Sequence, residues 1–269
     1  MFINNSSTLI ITGMHRSGTS LTASLLQSAG LNIGKDLMSA SQGNAKGYFE
    51  NINFVDFHQR VLVSQGFAKE GWTLNRDIAV PENYLEEVKQ LIQNNQADSA
   101  WGWKDPRTTL FLSFWSKLLP DAKYIFIFRS PWEVVDSLFR RGNSGDEVFT
   151  YNPNLALELW QSYNQIVLDF YHDFPEKCIL LHLNTITDDP NKLIQLIKQK
   201  FNISLGHCAY LFEQQYLNRA IEFNRLSLLK RYFPDAIKLY STLNQSADLV
   251  YQDEQFNDLL AADIDSYFT

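Results

Sequence analysis

Thr8-Leu9-Ile10-Ile11-Thr12-Gly13-Met14-His15-Arg16-Ser17-Gly18-Thr19-Ser20 is the stretch on which the fold turns. Thr8–Thr12 is apolar and β-branched without polar alternation, the pattern of a strand buried on both faces. From Thr19 onward Leu21, Leu25, Leu26 and Ala29 recur at helical spacing until Gly30 stops the run. Between them lies Gly13-x4-Gly18, the glycine spacing of a P-loop. Such a loop wraps backbone N–H groups around phosphate oxygens at a helix N-terminus, where the dipole favours anions. A nucleoside triphosphatase next needs Lys for the terminal phosphates and a hydroxyl for Mg²⁺. Here Thr19 stands at the lysine position, and the cation, Arg16, sits inside the loop. The competing reading is a glycine turn that binds nothing. It is disfavoured because strand, loop and helix follow in the required order.

Outward from this unit the pattern alternates. Helices are predicted over Asn53–Gln65 (from Val55, His58, Val61 and Leu62) and over Pro81–Gln96. Trp101-Gly102-Trp103-Lys104-Asp105-Pro106-Arg107 follows a polar break and reads as the close of a strand, Phe111–Leu119 reads as a helix, and Tyr124–Phe128 as a buried strand ending at Arg129. Ser130, Pro131 and Glu133 then read as a capping box opening a helix. A long helix over Leu155–Phe174, a strand over Cys178–Leu183 and a helix from Asp188-Asp189-Pro190 to Lys200 complete the series. The expected fold is α/β, a P-loop NTPase-like central parallel β-sheet with helices on both faces. One domain is expected over residues 1–269, with an α/β core over 1–204 and a mainly helical C-terminal segment over 205–269.

Composition narrows the function. The 269 residues carry a net charge of −7, so a broad nucleic-acid surface is not expected, although a local basic pocket for a small anion is allowed. Two cysteines, Cys178 and Cys208, supply neither a disulfide framework nor zinc spacing. No basic leader and no run of 18 apolar residues is present, and a cytoplasmic protein with no transmembrane segment is the expectation.

A second motif supplies the partner of the first. Arg129-Ser130-Pro131-Trp132-Glu133-Val134-Val135-Asp136-Ser137 places an Arg at a strand end and a Ser eight residues later on a helix. Arg offers a planar fork suited to phosphate. With Arg16-Ser17-Gly18-Thr19-Ser20, this resembles the sulfotransferases that use 3'-phosphoadenosine 5'-phosphosulfate (PAPS), in particular the tyrosylprotein, glycan and bacterial branches with Arg in the loop. The resemblance spans about residues 8–200. It implies that Arg16 contacts the bridging oxygen of the donor. It also implies that the backbone of Ser17, Gly18, Thr19 and Ser20, with the Thr19 and Ser20 hydroxyls, holds the 5'-phosphate. Arg129 and Ser137 match the 3'-phosphate site, and His15 packs beside the donor.

Sulfuryl transfer needs a base for the acceptor hydroxyl and cations for the transferring group and leaving phosphate. Lys104-Asp105-Pro106 resembles the family's Lys-Asp-Pro segment, which makes Lys104 the second catalytic cation, flanked by Trp101 and Trp103. Gly47-Tyr48-Phe49-Glu50-Asn51 resembles the Gly-Tyr-Phe-Glu segment of bacterial relatives and makes Glu50 the expected base. His15, His58 and Asp105 are the rival bases, with His58 read as partly exposed. Arg107 is a candidate contact to donor or acceptor. Arg140 and Arg141 are read as solvated helix cations, and Arg225–Arg231 as a candidate basic segment over the 3'-phosphate.

The expected function is therefore transfer from PAPS to a hydroxyl of a sugar, glycolipid or small metabolite, releasing adenosine 3',5'-bisphosphate (PAP), with no metal required. The rivals are an ATP-dependent P-loop kinase and an inactive PAP-binding module. Trp72, Tyr48 and Phe49 are candidate stacking surfaces for the acceptor.

Overall fold

The structure, a computed structural model, describes residues 7–39, 47–142, 147–208 and 230–261. Four strands, β1 (Thr8–Thr12), β2 (Trp101–Lys104), β3 (Lys123–Phe128) and β4 (Cys178–His182), form one parallel sheet in the order β2-β1-β3-β4. Alternation along each strand sorts the side chains. Ile10, Trp101, Trp103, Tyr124, Phe126, Phe128, Cys178 and Leu180 enter one core, and Leu9, Ile11, Ile125, Ile127, Ile179 and Leu181 enter the other. The first is rich in aromatic residues and the second is aliphatic.

The aliphatic face is covered by α1 (Thr19–Ser28) and α9 (Pro190–Phe201), through Ala23, Leu25, Leu26, Leu193, Ile194 and Ile197. The aromatic face receives α2 (Ile52–Ser64), α3 (Leu85–Asn95), α4 (Leu112–Leu118), α5 (Pro131–Gly142) and α7 (Pro153–Asp173). Short helices α6 (Val148–Tyr151) and α8 (Leu183–Asp188), absent from the sequence reading, fill the gaps before α7 and after β4. The helices predicted from Asp188 and from Leu155 are present as α9 and α7. Asp189 caps α9 by accepting the Asn191 N–H at 3.0 Å.

Beyond residue 229, α10 (Pro234–Ser246) and α11 (Glu254–Ala261) pack onto the aromatic core. Tyr240 is fully buried and edges onto Trp132 at 5.1 Å; its hydroxyl donates to Asp253 at 2.6 Å and lies 3.1 Å from His182 Nε2. No described helix is long and apolar enough to cross a membrane.

Topology places the site. The chain leaves β1 for β2 on one side, then crosses to β3 on the other side of β1. The strand order reverses at β1, which puts the crevice, where such sheets bind ligands, at the carboxyl ends of β1 and β3. Gly13–Ser20 and Arg129–Ser137 follow directly on these two strand ends.

Candidate active site

The phosphate loop is shaped by its glycines. Gly13 has φ 143°, and a Cβ there would lie 2.2 Å from the Ile127 carbonyl oxygen, so only glycine lets β1 turn this close to β3. Gly18, with φ 96°, caps α1, and its added Cβ would strike Leu183 at 2.3 Å. Between them Arg16 itself has φ 67°, a left-handed conformation that costs a non-glycine residue about 1 kcal/mol. Its side chain reaches α5. Arg16 Nε donates to Ser137 Oγ at 2.8 Å, joining residues 121 positions apart.

Ser137 is presented by α5, whose Val134 and Leu138 are buried in the aromatic core. At the entry to this helix Arg129 is buried, and its Nη2 donates to Glu133 Oε1 at 2.8 Å. The other Glu133 oxygen accepts the Ser130 hydroxyl. The expected capping box is thus reworked. Glu133 directs its carboxylate to the Ser130 hydroxyl and the Arg129 guanidinium, because at this buried strand end an arginine without an anion would be costly. The signal for that role was the Arg–Glu spacing of four residues.

A third group converges from β2 and the segment before α2. Lys104 is 2% exposed, and its Nζ donates to Glu50 Oε1 at 2.6 Å, Ser20 Oγ at 3.1 Å and the Tyr48 carbonyl at 3.2 Å. Ser20 is on the first turn of α1, so this lysine links the phosphate loop to Glu50. Glu50 is held in place by backbone: its carbonyl accepts Met38 N–H at 2.8 Å, and Ile52 N–H donates to the Asp36 carbonyl at 2.9 Å. Phe49 just before it has φ 53°, a second left-handed non-glycine at the crevice.

The phosphate loop fits an anion. Ser17 Oγ is fully buried within it and has no hydrogen-bond partner among the described residues. Buried hydroxyls are normally satisfied, so this one fits a bound acceptor such as a phosphate oxygen. Thr19 is also buried.

The remaining expectations sort as follows. His15 packs its ring on Trp72 at 4.6 Å and near Tyr163 at 6.0 Å. Sequence reading missed Tyr163, which looks like any core aromatic on α7; its hydroxyl donates to the Gly71 carbonyl at 2.8 Å. His58 is not partly exposed but fully buried, because it lies on the core-facing stripe of α2 with Phe54, Val61 and Leu62. Its Nδ1 is 2.8 Å from Asp105 Oδ2, and Trp115 Nε1 donates to its Nε2 at 2.9 Å. Asp105 is also fully buried and caps the turn over Pro106–Phe111. Burial alone would raise its pKa, but Arg107 and His58 hold it well below the usual carboxylate range. Neither faces the crevice as a base. Arg107 is buried against Asp105 at 2.9 Å and lies 3.8 Å from Glu50. Trp101 and Trp103 are buried in the aromatic core, with Trp103 stacked on Phe54 at 4.1 Å. Arg140 is exposed and pairs with Asp136 at 2.8 Å. The Arg141 side chain and residues 225–229 lie outside the described residues.

Similarity to known proteins bears on this arrangement. No curated protein matches the sequence. Among solved structures, a sulfotransferase from Alicyclobacillus acidocaldarius overlaps with a TM-score of 0.56 at 14% identity, over 90% of this chain and 97% of its own. It shares the fold. A sulfotransferase domain of the Synechococcus PCC 7002 olefin synthase overlaps at 0.43 and 16% identity, over 99% of this chain and 95% of its own. A Mycobacterium avium sulfotransferase overlaps at 0.49 and 16% identity, over 97% of this chain and 76% of its own. The sequence profile of the sulfotransferase family matches residues 8–206, which span the phosphate loop, Glu50, Lys104, Arg129 and Ser137. This chain belongs to the sulfotransferase family.

Proposed function

We propose that this sulfotransferase takes its sulfuryl group from PAPS and passes it in line to a hydroxyl, releasing PAP. The observation that carries this reading is the 2.8 Å bond from Arg16 Nε to Ser137 Oγ. It brings a phosphate loop and a second Arg/Ser anion motif to one crevice, as a donor with phosphates at both its 5' and 3' ends requires. The buried Ser17 hydroxyl supports an anion in the loop, and Arg129, fixed by Glu133, supplies the fork for the 3'-phosphate.

Glu50 takes the proton of the acceptor hydroxyl as its oxygen bonds to sulfur. The bond between sulfur and the phosphate oxygen breaks, and Arg16 and Lys104 offset the charge left on that phosphate. These two cations do the work that a metal does in phosphoryl transfer, so no metal is invoked. The acceptor, a sugar, glycolipid or small metabolite, enters beside Glu50, where the neighbouring Tyr48 offers aromatic surface; Phe49 packs on the aliphatic core, and Trp72 on His15 and Phe149.

The test is calorimetry with PAP and with ATP, without magnesium, on wild type and Arg129→Ala. Micromolar PAP binding, weak ATP binding and a PAP loss of about ten- to a hundredfold in the variant are expected, because a charge-assisted hydrogen bond contributes ~1.5–3 kcal/mol. Equal ATP binding, or no effect of the substitution, turns the reading toward a kinase. PAP binding with no transfer to any hydroxyl, and no effect of Glu50→Gln, turns it toward a binding module.

A further inference from the structure

A second set of buried polar groups runs back from Glu50, away from the crevice. Glu50 treats its two oxygens differently. Oε1 accepts from Lys104 at 2.6 Å, whereas Oε2 is 3.8 Å from Arg107 Nη1, beyond hydrogen-bond reach. The same Nη1 donates instead to Asp105 Oδ1 at 2.9 Å, and the Arg107 backbone N–H reaches that oxygen at 3.0 Å. Asp105 Oδ2 meets His58 Nδ1 at 2.8 Å.

The tautomer of His58 follows from its outer partner. An indole N–H only donates. Trp115 Nε1 therefore requires a lone pair on His58 Nε2, and the ring proton sits on Nδ1, aimed at Asp105. Burial lowers the His58 pKa despite the neighbouring Asp105, which keeps this neutral form. The ring is also packed face to face on Phe111 at 4.9 Å. His58 is thus held on three sides and presents one donor.

We infer that His58 is a positioning residue for Glu50: it holds Asp105 in the orientation that keeps Arg107 off Oε2, which leaves that oxygen for the acceptor proton. This rests on the reading of Glu50 as base. Without the His58 bond the Asp105 carboxylate is held through Oδ1 alone and can turn about that anchor, and Glu50 becomes the competing anion for Arg107. Closure of that gap by about 1 Å would make a direct Arg–carboxylate bond and tie up Oε2.

A matched pair of amides tests this. His58→Asn keeps a donor near Nδ1 for Asp105, and His58→Gln keeps a group near Nε2 for Trp115. Crystal structures should show Arg107 still on Asp105 in the Asn variant and moved within hydrogen-bond distance of Glu50 in the Gln variant. With PAPS and 4-methylumbelliferone as probe acceptor, the Gln variant should lose about a hundredfold in kcat, the scale of an ångström's misplacement. Its KM for PAPS and its PAP affinity should stay within about threefold, and the Asn variant should recover most of the turnover. A purely structural His58 would injure both variants alike and leave the Arg107–Glu50 distance unchanged; that result overturns the inference. Should the Gln variant not fold, imidazole ¹⁵N NMR on the wild type still decides, because a proton on Nε2 contradicts the donor role. Full turnover in Glu50→Gln would remove Glu50 as base, while the crystallographic comparison would still report whether His58 governs Arg107.

Discussion

Lys104 shows how one buried ammonium can tie a site together. It touches the phosphate loop through Ser20 and the expected base through Glu50, and it is almost wholly out of water. In such surroundings a cation acts strongly on developing charge. Lys104→Met is expected to lower turnover about a hundredfold or more while PAP affinity changes little, measured by steady-state kinetics and calorimetry. A large loss of PAP binding instead would make Lys104 a donor-binding residue. Because Glu50 would lose its nearest counter-charge, the variant should also melt earlier, consistent with the ~3–5 kcal/mol that breaking a buried pair costs. These residues were legible in sequence as candidates, since Lys-Asp-Pro and Gly-Tyr-Phe-Glu are local patterns. Their mutual distance was not, because 54 positions separate them.

At the scale of elements, the phosphate loop depends on how closely β1 approaches β3. Gly13→Ala is expected to destabilise the protein by about 2–3 kcal/mol, because a methyl group must displace the Ile127 backbone and φ 143° suits glycine alone. Chemical denaturation checks this, and an unchanged midpoint would mean that the loop adapts. The C-terminal helices give a second case. Tyr240→Phe removes a hydroxyl that donates to Asp253 and lies against His182, and should cost about 1–3 kcal/mol. A loss seen in global unfolding shows that α10 folds with the sheet, whereas an unchanged transition means that it docks independently. Strand and helix positions were legible to within a residue or two wherever the pattern was strong, as in β1, β3 and α7. The short helices α6 and α8 were not, because helices of four and six residues carry too little pattern to register.

Across the whole molecule, buried titratable groups set a pH window. His58 has its pKa lowered by burial from 6.5, so below that pH the unfolded chain binds a proton that the native protein refuses. Asp105 is held below its ordinary 3.8, the same sign at lower pH. Stability should therefore fall as pH drops from about 6.5, and fall further below 3.8. On the alkaline side burial raises Cys178 above 9.0 and Tyr163 above 10.0, so the unfolded chain releases protons that the native one retains, and stability should fall there too. Denaturation midpoints taken from about pH 2.5 to 11 check this; a flat profile between pH 6.5 and 4 would mean that His58 is charged in the native protein. By itself the sequence determined the α/β class, the glycine loop between β1 and α1 with Arg16 inside it, and the placing of Arg129 at a strand end with Ser137 on the next helix. Each is written in local spacing, period and glycine placement, which act within one or two elements. Only the tertiary structure decided that Arg16 meets Ser137, that Glu133 anchors Arg129, and that His58 lies behind the site rather than in it. Those outcomes depend on strand order and on which helix face meets the sheet. They are set by packing between segments distant along the chain, and no local pattern encodes them.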